Sequence, residues 1–150
     1  MAERAPHLLI IEARFYDDVA DELLRGAQAA LERASATFDR VSVPGSLELP
    51  AALSMALAAA DDGGTRYDGY VILGCVVRGE TSHYDIVANQ SARAIMDLAA
   101  GEGLALGFWL LTVETMDQAW ARAGVDQGNK GGGAAEAALQ MIALKRRFAS

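Results

Sequence analysis

Residues 7–43 read HLLIIEARFYDDVADELLRGAQAALERASATFDRVSV, and this stretch decides the fold. The apolar run at residues 8–11 predicts a strand that is buried on both faces, as in a parallel sheet. Asp17 or Asp18 is then expected to cap a helix in which apolar residues recur every three or four positions as far as Ala34. The β-branched segment at residues 37–43 predicts a second strand. A strand, a helix and a strand in this order indicate an α/β fold.

The rest of the chain continues the alternation of strands and helices. Further strands are expected at residues 70–74 and 104–111, and further helices at residues 50–60, 82–100, 116–123 and 133–148. Right-handed crossovers between parallel strands then predict a three-layer α/β/α sandwich with a four-stranded parallel sheet flanked by helices. We expect a single domain over residues 1–150, of which residues 1–7 form a flexible N-terminal segment.

Composition excludes several classes of function. The net charge of −7 disfavours binding to a nucleic-acid backbone, although a small anion can still bind a locally positive pocket. The single cysteine, Cys75, excludes an intrachain disulfide and a multi-cysteine metal site. No signal-like N-terminal stretch is present, and no apolar run reaches the ~20 residues of a membrane span. We therefore expect a soluble cytoplasmic protein that binds neither nucleic acid nor membrane.

The loops that follow the strands are the expected place for chemistry, because parallel α/β sheets bind ligands at the carboxyl ends of their strands. The loop after the third strand leads into RGETSHYD at residues 78–85, in which Ser82 is expected to cap the following helix. Backbone N–H groups at the start of the following helix, with the hydroxyls of Thr81 and Ser82, can hold an anion such as phosphate. His83 lies in the first helical turn, where the helix dipole favours a neutral imidazole suited to proton transfer. A surface histidine at a helix start explains the same position equally well.

Two cations lie near a later glycine-rich segment. Arg122 precedes GNKGGG at residues 128–133, which contains Lys130. A guanidinium offers fork-shaped donors to phosphate, and an ammonium adds a point charge. A solvated arginine and a flexible turn are the ordinary alternatives for these residues.

Apolar residues near the strand ends are candidates for a binding pocket. Phe15 and Phe108 can pack against a flat heterocycle, although each is also a typical core residue. Glu48 is a ligand candidate or an ordinary first-turn carboxylate, and Cys75 is expected to be a small buried hydrophobe rather than a nucleophile. No glycine-rich fingerprint follows the first strand, which weakens a nucleotide-binding interpretation.

Five segments together resemble the lumazine synthase family: residues 12–15, 43–50, 73–89, 107–114 and 122–131. RGETSHYD followed at this distance by GNKG is the most specific part of the match. The resemblance implies a flavodoxin-like domain that condenses 5-amino-6-(D-ribitylamino)uracil with L-3,4-dihydroxy-2-butanone 4-phosphate. It also implies a transferase of riboflavin biosynthesis that needs no metal or organic cofactor. Its active sites would lie between adjacent subunits of a homopentamer.

The resemblance also implies a role for each matching residue. His83 and Arg122 would be catalytic, with His83 transferring protons. The butanone phosphate would contact Glu80, Thr81, Arg122 and Lys130. The ribitylaminouracil would contact Phe15, Ser46, Leu47, Glu48, Cys75, Val76, Val77 and Phe108. The chain departs from the family at Leu47, where many members have an aromatic residue, and at Glu80, where a small neutral residue is common.

Two rival interpretations remain open on the sequence alone. One is a binding-only flavodoxin-like module for flavin or nucleotide, and the other is a chiefly structural paralogue that forms a capsid of twelve pentamers. A wide apolar stripe on the last helix favours association. Pro6 lacks the N–H donor that strand pairing between subunits needs, which favours an isolated pentamer over a capsid.

Overall fold

The computed structural model describes residues 4–150, so the expected flexible segment at residues 1–7 lies partly outside the described residues. Strands and helices alternate along this part of the chain. Their bounds are β1 (His7–Ala13), α1 (Asp17–Arg33), β2 (Thr37–Val43), a 3₁₀ turn (Ser46–Glu48), α2 (Leu49–Asp61), β3 (Gly69–Val77), α3 (His83–Glu102), β4 (Leu106–Val113), α4 (Met116–Ala123) and α5 (Lys130–Ala149). No helix within residues 4–150 is long and apolar enough to span a membrane.

The four strands form one parallel sheet in the order β2-β1-β3-β4, which confirms the predicted fold class. The pairing of β1 with β3 ends at Glu12 and Leu73, whereas the pairing of β3 with β4 continues to Val77 and Val113. Val76 and Val77 therefore belong to β3, and the prediction that they lie in a loop was wrong. The last four residues of β3 extend beyond its pairing with β1, and a cavity opens where this pairing ends.

Helices cover both faces of the sheet. On one face α1, α4 and α5 bury side chains such as Leu23, Ala119 and Ala138 against β1, β3 and β4. On the other face α2 and α3 bury Leu53 and Ile95. The residues of β1 and β3 alternate between the two cores, as expected for strands with helices on both sides.

Two helix starts differ from the prediction. Tyr16 precedes α1, and neither Asp17 nor Asp18 caps it, because both belong to the first turn and Arg14 Nε donates to Asp17 Oδ1 at 3.1 Å. Ser82 precedes α3, but its side chain makes no capping bond. The neighbouring Thr81 hydroxyl accepts a hydrogen bond at the start of the helix instead, from the His83 N–H to Thr81 Oγ1 at 3.3 Å.

Residues 130–133 of the glycine-rich segment are helical, whereas Gly128 lies in the turn that precedes the helix. Helix α5 begins at Lys130, three residues before the predicted start, and Asn129 Oδ1 accepts from the Gly132 N–H at 3.3 Å. Gly131 packs so closely on α1 that a Cβ at this position would overlap the carbonyl group of Leu23. The glycines therefore allow α5 to approach α1, which explains their presence near the start of a helix.

Candidate active site

A cavity of about 290 Å³ opens at the carboxyl ends of β1 and β3. Four segments line it: the turn after β1, the 3₁₀ turn after β2, the end of β3, and the start of α3. Nine of the predicted site residues lie in its wall, namely Phe15, Ser46, Leu47, Glu48, Cys75, Val76, Val77, Thr81 and His83. Four predicted residues do not line it, namely Glu80, Phe108, Arg122 and Lys130.

The turn after β1 presents Phe15 to the cavity. Phe15 is 72% exposed, and its ring packs edge to face against that of Tyr16, with 4.9 Å between the ring centroids. Arg14 braces the turn by contacting the carboxylates of Glu12, Asp17 and Asp21. The turn is therefore fixed at its base, and the Phe15 ring keeps a free face on which a flat heterocycle can stack.

Glu12 anchors this brace from inside the protein. Its carboxylate is 1% exposed and accepts from Arg14 Nη1 at 2.6 Å and from Ser42 Oγ at 3.1 Å. Arg40 Nε lies 3.2 Å from the same carboxylate. A buried charge needs such partners to offset its lost hydration. Glu12 thereby ties the ends of β1 and β2 to the turn that carries Phe15.

The 3₁₀ turn is held from α3. Ser91 Oγ donates to the carbonyl oxygen of Ser46 at 2.9 Å, and both residues are buried. This bond fixes the backbone from which Leu47 and Glu48 border the cavity. Sequence reasoning did not single out Ser91, because its only signal is a serine on the apolar side of a helix.

The end of β3 forms an apolar wall. Cys75 and Val76 are buried, and Val77 is partly buried. Burial raises the pKa of the Cys75 thiol to about 11, so a thiolate is scarce near neutral pH. This environment favours the packing role of Cys75 over a nucleophilic one.

The start of α3 closes the cavity with polar groups and with Tyr84. His83 and Thr81 line the cavity, and the loop before them carries the backbone N–H groups of Gly79 and Glu80. Residues at a helix N-terminus are suited to bind an anion. Tyr16, Tyr84 and Val87 also line the cavity and were missed by sequence reasoning, which treated them as ordinary helix and loop residues.

Arg78 lies beside this loop, but its positive charge is already paired with carboxylates of the same chain. Its guanidinium bonds Glu114 at 3.0 Å, lies 3.6 Å from Asp85, and sits 4.1 Å from the centroid of the Tyr84 ring. The hydrogen bond to Glu114 is the main cause that raises the pKa of Arg78. Arg78 therefore clamps the start of α3 to the end of β4, and an anion in the cavity needs a different cation.

The four remaining predicted residues lie outside the wall. Phe108 packs against the core beneath α2 and α3, and Glu80 is exposed in the loop before α3. Arg122 Nη1 donates to the Gln118 carbonyl at 3.0 Å, and Lys130 Nζ lies 4.5 Å from the centroid of the Trp109 ring. Within residues 4–150 no carboxylate forms an ion pair with Arg122 or Lys130, so both charges are available to an anion.

The described residues offer no cluster of three or more His, Cys, Asp or Glu side chains that could hold a metal ion. The arrangement instead combines an exposed aromatic ring, an apolar wall, a helix N-terminus and a histidine. These groups can stack a heterocycle, bind an anion and transfer a proton.

Comparison with known proteins gives the family. The family model for 6,7-dimethyl-8-ribityllumazine synthase matches residues 5–146. The chain is 63% identical to 6,7-dimethyl-8-ribityllumazine synthase 1 of Rhizobium meliloti, over 99% of this chain and 97% of that protein. It is 61% identical to the 6,7-dimethyl-8-ribityllumazine synthase of Agrobacterium fabrum, over 95% of this chain and 97% of that protein. The chain therefore belongs to the 6,7-dimethyl-8-ribityllumazine synthase family.

Proposed function

We propose that this protein condenses 5-amino-6-(D-ribitylamino)uracil with L-3,4-dihydroxy-2-butanone 4-phosphate. The products are 6,7-dimethyl-8-ribityllumazine, phosphate and water, in the penultimate step of riboflavin biosynthesis. The observation that carries the proposal is the cavity at the sheet edge, in which Phe15, Glu48 and His83 border one space. Membership of the lumazine synthase family supports the same reaction.

The uracil substrate is assigned to the part of the cavity beside Phe15. Its ring stacks on the free face of Phe15 and packs against the wall of Cys75, Val76 and Val77. Leu47 adds aliphatic contact but no second aromatic ring, so stacking depends mainly on Phe15. The polar groups of Ser46 and Glu48 are assigned to the polar edges of this substrate.

The phosphate of the second substrate is assigned to the start of α3. The backbone N–H groups of Glu80 and Thr81, with the Thr81 hydroxyl, donate to its oxygens, while the Glu80 side chain points to solvent. Arg122 adds a guanidinium and Lys130 an ammonium, and neither is neutralised by an ion pair with a described carboxylate.

The reaction needs positioning and proton transfer. The amine of the uracil attacks the ketone, and loss of water gives an imine; phosphate then leaves by elimination, and ring closure releases water. Holding both substrates together supplies the largest contribution to rate. His83, at the border of the cavity, accepts and returns the protons that these steps move.

A second copy of the chain is proposed to complete the site. Phe108, Arg122 and Lys130 lie on β4, α4 and the start of α5 and do not line the cavity of their own chain. β4 is an edge strand, and in a ring of identical subunits this edge of one copy meets the cavity of the next. The exposed apolar side chains of Leu47, Met55 and other residues support such a contact.

We propose an isolated homopentamer in the cytoplasm, with the two small-molecule substrates as its other partners. Sedimentation analysis tests the assembly: a species of five subunits supports it. A particle of twelve pentamers would contradict the isolated pentamer without affecting the assignment of the reaction.

Formation of the lumazine, followed by its absorbance, tests the reaction. Purified protein and both substrates, without added metal, should give product at a rate far above the spontaneous condensation. A folded, assembled protein that binds flavin but gives no acceleration would support the binding-only alternative and overturn the proposal.

A further inference from the structure

The contact between Lys130 and Trp109 is not used by the proposed reaction steps. Lys130 is the first residue of α5, and its Nζ lies 4.5 Å from the centroid of the Trp109 ring on β4. An ammonium at this distance is attracted to the face of an indole. The ring is neutral, so it orients the ammonium without cancelling its charge.

The backbone that carries Lys130 is firmly placed. Asn129 adopts a left-handed conformation, with φ of 47°, and its side chain caps α5 by accepting from Gly132. Gly131 packs directly against the backbone of Leu23 in α1. The Cα of Lys130 is thus fixed from both sides, and the remaining freedom is that of its four-carbon side chain, which Trp109 restricts.

A second cation–π contact, that of Arg78 with Tyr84, has a structural role and can be compared with the contact of Lys130. Arg78 also lies over an aromatic ring, that of Tyr84, but two carboxylates bind it as well. Arg78 is therefore a structural clamp. Lys130 has an aromatic partner but no ion pair with a described carboxylate, which is the arrangement expected of a cation kept for an anionic ligand.

We propose that Trp109 is a positioning residue, whose indole holds the Lys130 ammonium ready for the phosphate of the four-carbon substrate. The inference rests on the proposed function, which assigns Lys130 to that phosphate in the site of the neighbouring subunit. Without the indole, the lysine side chain must be ordered when the substrate binds, so affinity for the sugar phosphate falls while the chemical steps are unchanged.

Steady-state kinetics of four variants test the proposal: Trp109→Leu, Trp109→Phe, Lys130→Ala and the double variant Trp109→Leu/Lys130→Ala. Trp120→Leu is the matched control, because Trp109 and Trp120 are each 38% exposed and no described cation lies over the Trp120 ring. Each assembled variant is assayed by varying one substrate while the other is saturating. Sedimentation confirms equal assembly before the rates are compared.

Trp109→Leu is expected to raise the KM for the butanone phosphate about two- to fivefold, the size of an exposed cation–π contact, and to leave kcat and the KM for the uracil unchanged. Trp109→Phe should restore part of the loss, and Trp109→Leu should have no further effect once Lys130 is alanine. If Lys130→Ala raises this KM but Trp109→Leu behaves like Trp120→Leu, the positioning role is refuted and the phosphate role of Lys130 stands. If Lys130→Ala has no effect, both are refuted, while the reaction itself is judged by the activity of the unmodified protein.

Discussion

Gly131→Ala should destabilise the protein, because the added methyl group has no space. A Cβ at Gly131 would overlap the carbonyl group of Leu23, and that atom belongs to the backbone of α1. The position does not require a positive φ, so the cost comes from crowding alone. Forcing α1 and α5 apart costs about 3 kcal/mol, at the upper end for overpacking, because a helix backbone cannot turn aside. Alanine regains about 1 kcal/mol over glycine as a helix former, which leaves a net loss of about 2 kcal/mol.

Gly133→Ala is the matched control on the same helix. Apart from its chain neighbours and the nearby backbone of its own helix, no described atom lies within 4 Å of a Cβ at Gly133, so this change should bring only the gain in helix propensity, about 0.5–1 kcal/mol. The two substitutions are chemically identical and two residues apart, yet opposite signs are expected.

Thermal unfolding at one fixed protein concentration measures both changes, since assembly makes stability depend on concentration. For a domain of this size, Gly131→Ala should lower Tm by about 4–8 °C and Gly133→Ala should raise it by about 1–4 °C. If Gly131→Ala leaves Tm unchanged or raises it, the close contact between α1 and α5 does not exist in solution, and the explanation given for the glycine-rich segment fails.

Three further predictions follow from the site and its surroundings. His83→Ala should lower kcat by up to about a hundredfold. Arg122→Ala should mainly raise the KM for the butanone phosphate, by about ten- to a hundredfold. Steady-state kinetics with each substrate varied measures both effects, and negligible changes in both variants would contradict the assignments. The Cys75 thiol, with a pKa of about 11, should resist iodoacetamide at pH 8 in the native protein, and Cys75→Ala should keep kcat while raising the KM for the uracil only slightly; rapid labelling or a large loss of kcat would argue against a packing role. The hydrogen bond from Arg4 is the main reason why the pKa of Asp68 lies below its ordinary value of 3.8. Asp68 therefore stabilises the folded protein above pH 3.8, and this stabilisation is lost as the pH falls through the pKa of Asp68 in the folded state. Urea unfolding of Asp68→Asn should therefore depend less steeply on acid pH than that of the unmodified protein, and equal slopes would count against this account.

The strands and layers of the fold could be predicted because burial leaves a direct pattern in the sequence. The segment at residues 37–43 coincides with β2, and residues 8–11 lie within β1. The end of β3 was predicted too early, because pairing of Val76 and Val77 with β4 depends on register between distant segments. Ser82 occupies the N-cap position of α3 as predicted, but Thr81 supplies the accepting hydroxyl, since both hydroxyls suit this role and local geometry alone selects one.

Contacts between residues that are distant in the sequence limited the prediction of the glycine-rich segment and of the site. Consecutive glycines near Lys130 indicate a turn by their intrinsic freedom, but packing against α1 makes them part of a helix. Motifs located most of the cavity wall, yet Ser91 was missed because its bond to Ser46 joins residues far apart in the sequence. Motif matching also grouped Arg122 with His83, although Arg122 does not line the cavity of its own chain. The proposed contact between subunits accounts for this difference, since a motif match does not state which copy supplies a residue.

Complementation between two impaired variants tests most directly whether the site is shared by neighbouring copies. His83→Ala and Arg122→Ala subunits, carrying different tags, are co-expressed, and mixed assemblies are isolated by both tags. The rate is measured with the butanone phosphate well below its KM, where both variants are impaired. If one copy supplies His83 and the next supplies Arg122, about one site in four combines two intact halves in a random equal mixture, and this rate rises to about a quarter of the unmodified value. A rate equal to the mean of the two parent variants would show that both residues act within one chain, and would contradict the shared site.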